Sequence, residues 1–175
     1  DDEREEVRRT AMEAIAGLSV DQSFQESLLD RPELVTRLFA HINDVSLAVE
    51  HDTWRALVNI AQDSRLAGML CPNEALAVAY YVCQCAGISV EEKVEGDEGQ
   101  VKAKRTFHKE QCIFPDLACM LLANLCKSSV CAEALTRTFT FPFLKMASTS
   151  RDPKFDFIFS ALADMTIVAE CRRLL

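Results

Sequence analysis

With 175 residues, 49% of them apolar and 26% charged, the chain can bury one sizeable core or a short stack of repeats. Only five Gly and five Pro, with little period-two alternation, exclude a sheet-rich fold in favour of helices. A formal charge of −8 without a clustered Lys/Arg face excludes nucleic acid as the main ligand, since such binding needs basic groups to displace counterions.

The predicted elements begin with a helix running through "AIAGLSV" from Ala14, followed by a short helix over Gln22–Leu29 and one opened by Pro32. A long helix from Leu47 then carries "WRALVNIAQD", and a short one follows at Arg65–Leu70, with the next opened by Pro72. A charged stretch, "ISVEEKVEGDEGQVKAKRTFHKEQ" (Ile88 to Gln111), breaks the apolar periodicity and reads as an inserted surface loop, or as a secondary contact for a partner. A long helix from Pro115 contains "ACMLLANLCKSSVCAEAL", and a short helix is predicted at Val130–Leu135 with another opened by Pro142. A last long helix from Pro153 contains "ALADMTIVAECRRLL", with a final short helix at Glu170–Leu175.

The four long helices share a pattern: a small-and-leucine run, one anchor residue, one apolar residue and a polar break. The anchors Gly17, Asn59, Asn124 and Asp164 are 42, 65 and 40 residues apart. Removing the insertion brings the middle value into line, and the period matches the roughly 40–47 residues of HEAT and armadillo units. Two residues before each anchor stand Ile15, Leu57, Leu122 and Leu162, and one residue after stand Leu18, Ile60, Leu125 and Met165. A separation of three puts each pair on one helix face, which a stack would bury. The order of a short, a second and a long third helix predicts an all-α, armadillo/HEAT-like right-handed solenoid of about four repeats, spanning residues 1–175 as one domain. Entry directly on a third helix and the ending "ECRRLL" read as a fragment of a longer chain, because neither end looks like a polar cap.

"WRALVNIAQD" and "ACMLLANLCKSSVCAEAL" resemble armadillo third helices in general, and most of all those of the eukaryotic HGH-homologue family. That resemblance implies a cytosolic cochaperone that assists folding of translation elongation factor 2 in company with the chaperonin and other chaperones. The fold alone would equally suit a generic scaffold or adaptor of the nuclear-transport or signalling type. Import receptors and catenins tend to carry Trp four residues before the Asn; here those positions hold Glu13, Arg55, Met120 and Ser160. Trp54 is one residue out of register, about 100° round the helix, and is predicted to face the core. A nuclear-localisation-signal receptor is therefore disfavoured.

The candidate partner-binding stripe on the concave face comprises Arg55, Asn59, Met120, Asn124, Ser160 and Asp164. Asn59 and Asn124 offer both donor and acceptor to a ligand backbone, or else brace the third helix internally. Asp116, Asp156 and Asp164 would lend the groove negative charge, although the first two suit a helix N-terminus by dipole alone. No cofactor or metal is expected: Cys83-x-Cys85 and the later cysteines lack paired zinc spacing, and Cys83, Cys119 and Cys126 lie in apolar helical runs. Cys71 and Cys112, near helix ends, are the candidates for exposed thiols. No nucleophile elbow, phosphate loop or metalloprotease motif occurs, so no enzyme is expected. No apolar run reaches the roughly 20 residues of a bilayer span, so no membrane partner is expected. The cysteine pattern and the absence of an Asn-x-Ser/Thr sequon suggest a cytosolic, or secondarily nuclear, setting.

Overall fold

A computed structural model describes residues 2–88, 90–91, 104–105 and 112–167. Nine helices occur among them: α1 (Asp2–Leu18), α2 (Gln22–Leu29), α3 (Pro32–Phe39), α4 (Leu47–Ile60), α5 (Ser64–Met69), α6 (Asn73–Cys85), α7 (Pro115–Cys126), α8 (Ser129–Thr149) and α9 (Phe157–Ile167). Extended structure among the described residues is one antiparallel pairing of β1 (Val90–Glu91) with β2 (Lys104–Arg105), so the fold is all-α in substance. Among the described residues no single helix is long and apolar enough to cross a membrane.

Polar residues set where helices start. Asp21 accepts from the Phe24 N–H at 3.0 Å and opens α2, and Asp63 accepts from the Arg65 N–H at 2.8 Å and opens α5. Together with Ser128, at the cap position of α8, these residues stand four beyond the anchors Gly17, Asn59 and Asn124. Tyr81 performs a similar service at a distance. Its hydroxyl accepts from the Ile113 and Phe114 N–H groups at 3.1 and 3.3 Å, satisfying donors ahead of α7, while its ring packs 5.2 Å from Trp54.

The anchor-bearing helices form a row, with α1 on α4, α4 on α7 and α7 on α9. Behind it α3 packs on α4, α6 on α7 and α8 on α9, while α2, α5 and the start of α8 link neighbours. α4 and α7 lie deepest: α7 buries Ala118, Cys119, Leu121, Leu122, Ala123, Leu125 and Cys126, whereas α3 buries only Val35 and Leu38. Trp54 is fully buried, as its register predicts.

Leu18 is 51% exposed, because it lies at the end of α1 where no described element covers it, while Leu57, Ile60, Leu122, Leu125 and Met165 are buried and Ile15 and Leu162 half-buried. Pro142 does not open a helix; it lies inside α8, which runs continuously over the two segments predicted as separate. A proline there removes one backbone donor, but Phe139, Phe143 and Met146 stay buried on either side and hold the helix together. Pro153 opens a 3₁₀ turn, Pro153–Phe155, ahead of α9, and Pro72 stands at the cap position just before α6.

The insertion is anchored at its base. After α6, Gly87 takes φ 68°, its N–H donates to the Gln84 carbonyl and that of Ile88 to Cys83, both at 2.9 Å. This closure uses a left-handed residue that glycine adopts without a Cβ clash. Ile88 and Val90 are buried, and β1 packs on α8. Cys112 is not a free thiol: it forms a disulfide with Cys85, their Cα atoms 5.2 Å apart. The rest of the predicted loop, and the predicted helix at Glu170–Leu175, lie outside the described residues.

A charged cluster joins α1 to the start of α4. Arg8 Nε lies 3.5 Å from Asp44, which also meets His41 at 3.4 Å and accepts from the Ser46 N–H at 3.0 Å. Burial opposes ionisation of Asp44, yet the Ser46 N–H, His41 and the Arg8 charge together hold its carboxyl below the usual range. Glu50, 7% exposed on α4, goes the other way: burial pushes its carboxyl up, partly offset by the neighbouring Trp54 indole. A raised carboxyl pKa means that ionised Glu50 destabilises the fold at neutral pH, and the penalty fades as pH falls towards the unfolded value of about 4. Glu50→Gln should therefore raise the melting temperature at pH 7–8, by a margin that shrinks towards pH 4. Thermal melts across that range test this; a lower melting temperature at pH 7 would mean that the carboxylate makes a stabilising contact.

Candidate protein-interaction surface

The predicted stripe occupies matching positions on α4, α7 and α9: Arg55 and Asn59, Met120 and Asn124, Ser160 and Asp164. Since these helices pack in succession, the pairs fall into a row across them. Arg55 and Ser160 are exposed; the other four are half-buried. Arg55 donates to Asp52 at 3.0 Å, and His51 lies 3.4 Å from the same carboxylate. An exposed pair of this kind is worth about 0–1 kcal/mol, so a partner's carboxylate can displace Asp52 cheaply.

The two asparagines are already employed within the protein. Asn124 Nδ2 donates to the Val58 carbonyl on α4 at 2.9 Å, and its Oδ1 accepts from Lys127 Nζ at 2.7 Å. The neighbouring carbonyls of Leu57, Asn59 and Ile60 accept backbone donors from Ala61, Gln62 and Asp63, so Asn124 supplies a donor to a helix end that needs one. Asn59 Nδ2 donates to Ser19 Oγ at 2.9 Å, and that hydroxyl donates to the Ala16 carbonyl at 2.7 Å, at the end of α1. Gln25 Nε2 completes the junction, donating to the carbonyls of Ser19 at 2.7 Å and Asn59 at 3.3 Å. Each Asn thus reaches back to the preceding anchor helix. The bracing runs between neighbouring long helices, whereas the sequence reading allowed bracing only inside one repeat.

Gln25 and Lys127 were missed from sequence, because each is a common polar residue with no counterpart at the same offset from the other anchors; Ser19 was missed although Thr166, two residues beyond Asp164, repeats its hydroxyl and its bond to the carbonyl three residues before. Asp116 is exposed in the first turn of α7, and Asp156 stands just ahead of α9, positions that suit the helix dipole. Burial pushes the Cys83 and Cys119 thiols up to about 12, and it also raises the half-buried Cys71 thiol, which makes these described cysteines poor nucleophiles. Among the described residues no group of three or more His, Cys, Asp or Glu side chains is arranged to hold a metal ion.

The chain matches no protein-family model, no curated protein and no solved structure.

If the asparagines brace the row, removing either should loosen it. Asn59→Ala and Asn124→Ala should each destabilise the protein by about 1–2 kcal/mol, since the first removes the donor to Ser19 Oγ and the second the donor to the Val58 carbonyl. Ser160→Ala, at an exposed position, should stay within about 0.5 kcal/mol. Urea unfolding of the three variants decides this; equal and negligible effects would free the asparagines for a ligand.

Proposed function

We propose that the chain is a non-catalytic protein-interaction module of armadillo type, a solenoid of about four repeats, acting as a chaperone cofactor in the folding of translation elongation factor 2. One observation carries the solenoid reading: helices bearing the four anchors at matched positions pack each on the next, and the anchor Asn of one bonds the end of the one before. Repeats that bury a face only against their neighbours are the physical definition of a solenoid. The client follows from the resemblance of "ALVNI" and "LLANL" to the cochaperone family, and chaperones are its natural companions. The cytosol, as the resemblance implies, is the proposed compartment, with the nucleus second, although the Cys85–Cys112 disulfide is more usual of an oxidising setting.

With both asparagines committed to the row, the contact residues left on the stripe are the exposed Arg55 and Ser160, flanked by half-buried Met120 and Asp164. Purified elongation factor 2 titrated onto the labelled chain tests the reading. Saturable binding is expected, weakened at least about tenfold by Arg55→Glu with Ser160→Arg, while the melting temperature holds because both sites are exposed. No binding, with importin-type cargo or a receptor tail captured instead, would favour the generic adaptor. Binding untouched by the double variant would move the client off the stripe.

A further inference from the structure

An open groove of about 770 Å³ lies between α1, α2 and α3. Met12 and Ile15 of α1, Phe24 and Leu28 of α2, and Leu34 and Leu38 of α3 form its floor. Leu34 is 38% exposed although it lies within a turn of buried Val35 and Leu38. Three helices therefore turn apolar side chains towards one trough that none of the described residues fills. A groove of this size and character falls within the range of sites that bury a ligand.

Its chemistry favours a helix as occupant. The floor has little to offer a polar ligand: Ser27 already donates its hydroxyl to the Phe24 carbonyl at 2.7 Å. An extended peptide laid there would strand its own N–H and C=O groups against hydrocarbon, and the groove presents no strand edge to receive them. A helix satisfies its backbone internally and can lay an apolar stripe into the trough.

The rim adds the sign of the partner. Arg31, at the cap position of α3, and Arg37, in its last turn, both line the groove. Neither forms an ion pair among the described residues, whereas Arg8, Arg55, Arg65 and Arg137 each face a carboxylate. Asp30 is the one carboxylate in the lining, and His41 is turned to Asp44. Two unpaired guanidinium groups against one carboxylate reverse locally the net charge of −8. Arg31 precedes the first turn of α3 and Arg37 lies in its last, so the two charges stand at opposite ends of the helix.

We propose that this groove is the docking site for an amphipathic helix of a protein partner, its apolar stripe flanked by Asp or Glu residues. It uses residues other than the Arg55–Ser160 stripe, so it stands or falls independently of the elongation-factor client.

The test is selection, on the intact chain, from a displayed library of helical peptides of about 18 residues with a fixed Leu/Ala stripe and flanks randomised among Glu, Lys and Gln. Glu flanks should be enriched, and a selected peptide should bind at least about tenfold tighter than its Lys-flanked counterpart in fluorescence anisotropy. Arg31→Glu with Arg37→Glu should reverse that preference, and Leu34→Gln should weaken both peptides. All three positions are exposed, and circular dichroism melts verify that each variant folds. The proposal is overturned if no helix is enriched, if Lys flanks win, if the arginine variant leaves the preference unchanged, or if a proline-broken peptide of the same composition binds equally well.

Discussion

α7 is buried round most of its circumference, with the line of Asp116, Met120 and Asn124 reaching solvent, and the arrangement of the other helices follows from that. A helix with so wide an apolar surface must be enclosed on nearly every side. Here α4 and α9 cover it within the row, and α6, α8 and α5 cover it from behind. Leu121, Leu122 and Leu125 are fully buried in that enclosure, with Cys119 and Cys126 as small apolar fillers beside them. The same demand explains the buried side of α4, where Trp54, Leu57 and Ile60 complete the contact. α2 and α3, with one and two buried residues and no extensive contact to α7, lie at the periphery.

Burying the long helices side by side creates a second requirement, because each C-terminal end leaves carbonyls without intrahelical donors. Side chains from the next part of the chain meet it. Asn124 serves α4, while Asn59 and Gln25 close the junction after α1. Asp21 and Asp63 then start the next short helices within four residues of the anchors. One small polar module thus ends a long helix, turns the chain and ties neighbouring helices together. The surfaces left over for a partner are thereby outward ones: the exposed positions of the stripe and the trough between α1, α2 and α3.

Much of this was legible in the residues. The long helices could be placed from the i, i+3 spacing of Leu57 with Ile60 and Leu122 with Leu125, and the inward turn of Trp54 from its register. The role of Asn59 and Asn124 could not, because an amide at a repeated position is equally suited to a ligand and to a neighbouring helix. Which it meets depends on long-range packing. Pro142 misled because proline is a strong local break signal, and local signals yield when Phe139 and Phe143 bury their rings on either side. The tie between Cys85 and Cys112 joins residues on opposite sides of the insertion, and spacing alone does not identify such pairs. Leu18 shows the converse limit: periodicity assigns a face, but only a neighbour buries it.

On this packing the α4–α7 pair is the cooperative centre on which the peripheral helices depend. Native-state hydrogen exchange measured against denaturant tests it most directly. Amides in the middle of α4 and α7 should exchange only through global unfolding, at one shared free energy, while those of α2 and α3 open earlier and at lower cost. If α7 instead opens before α3, or if α4 and α7 open separately with unrelated free energies, the long helices do not form a single core.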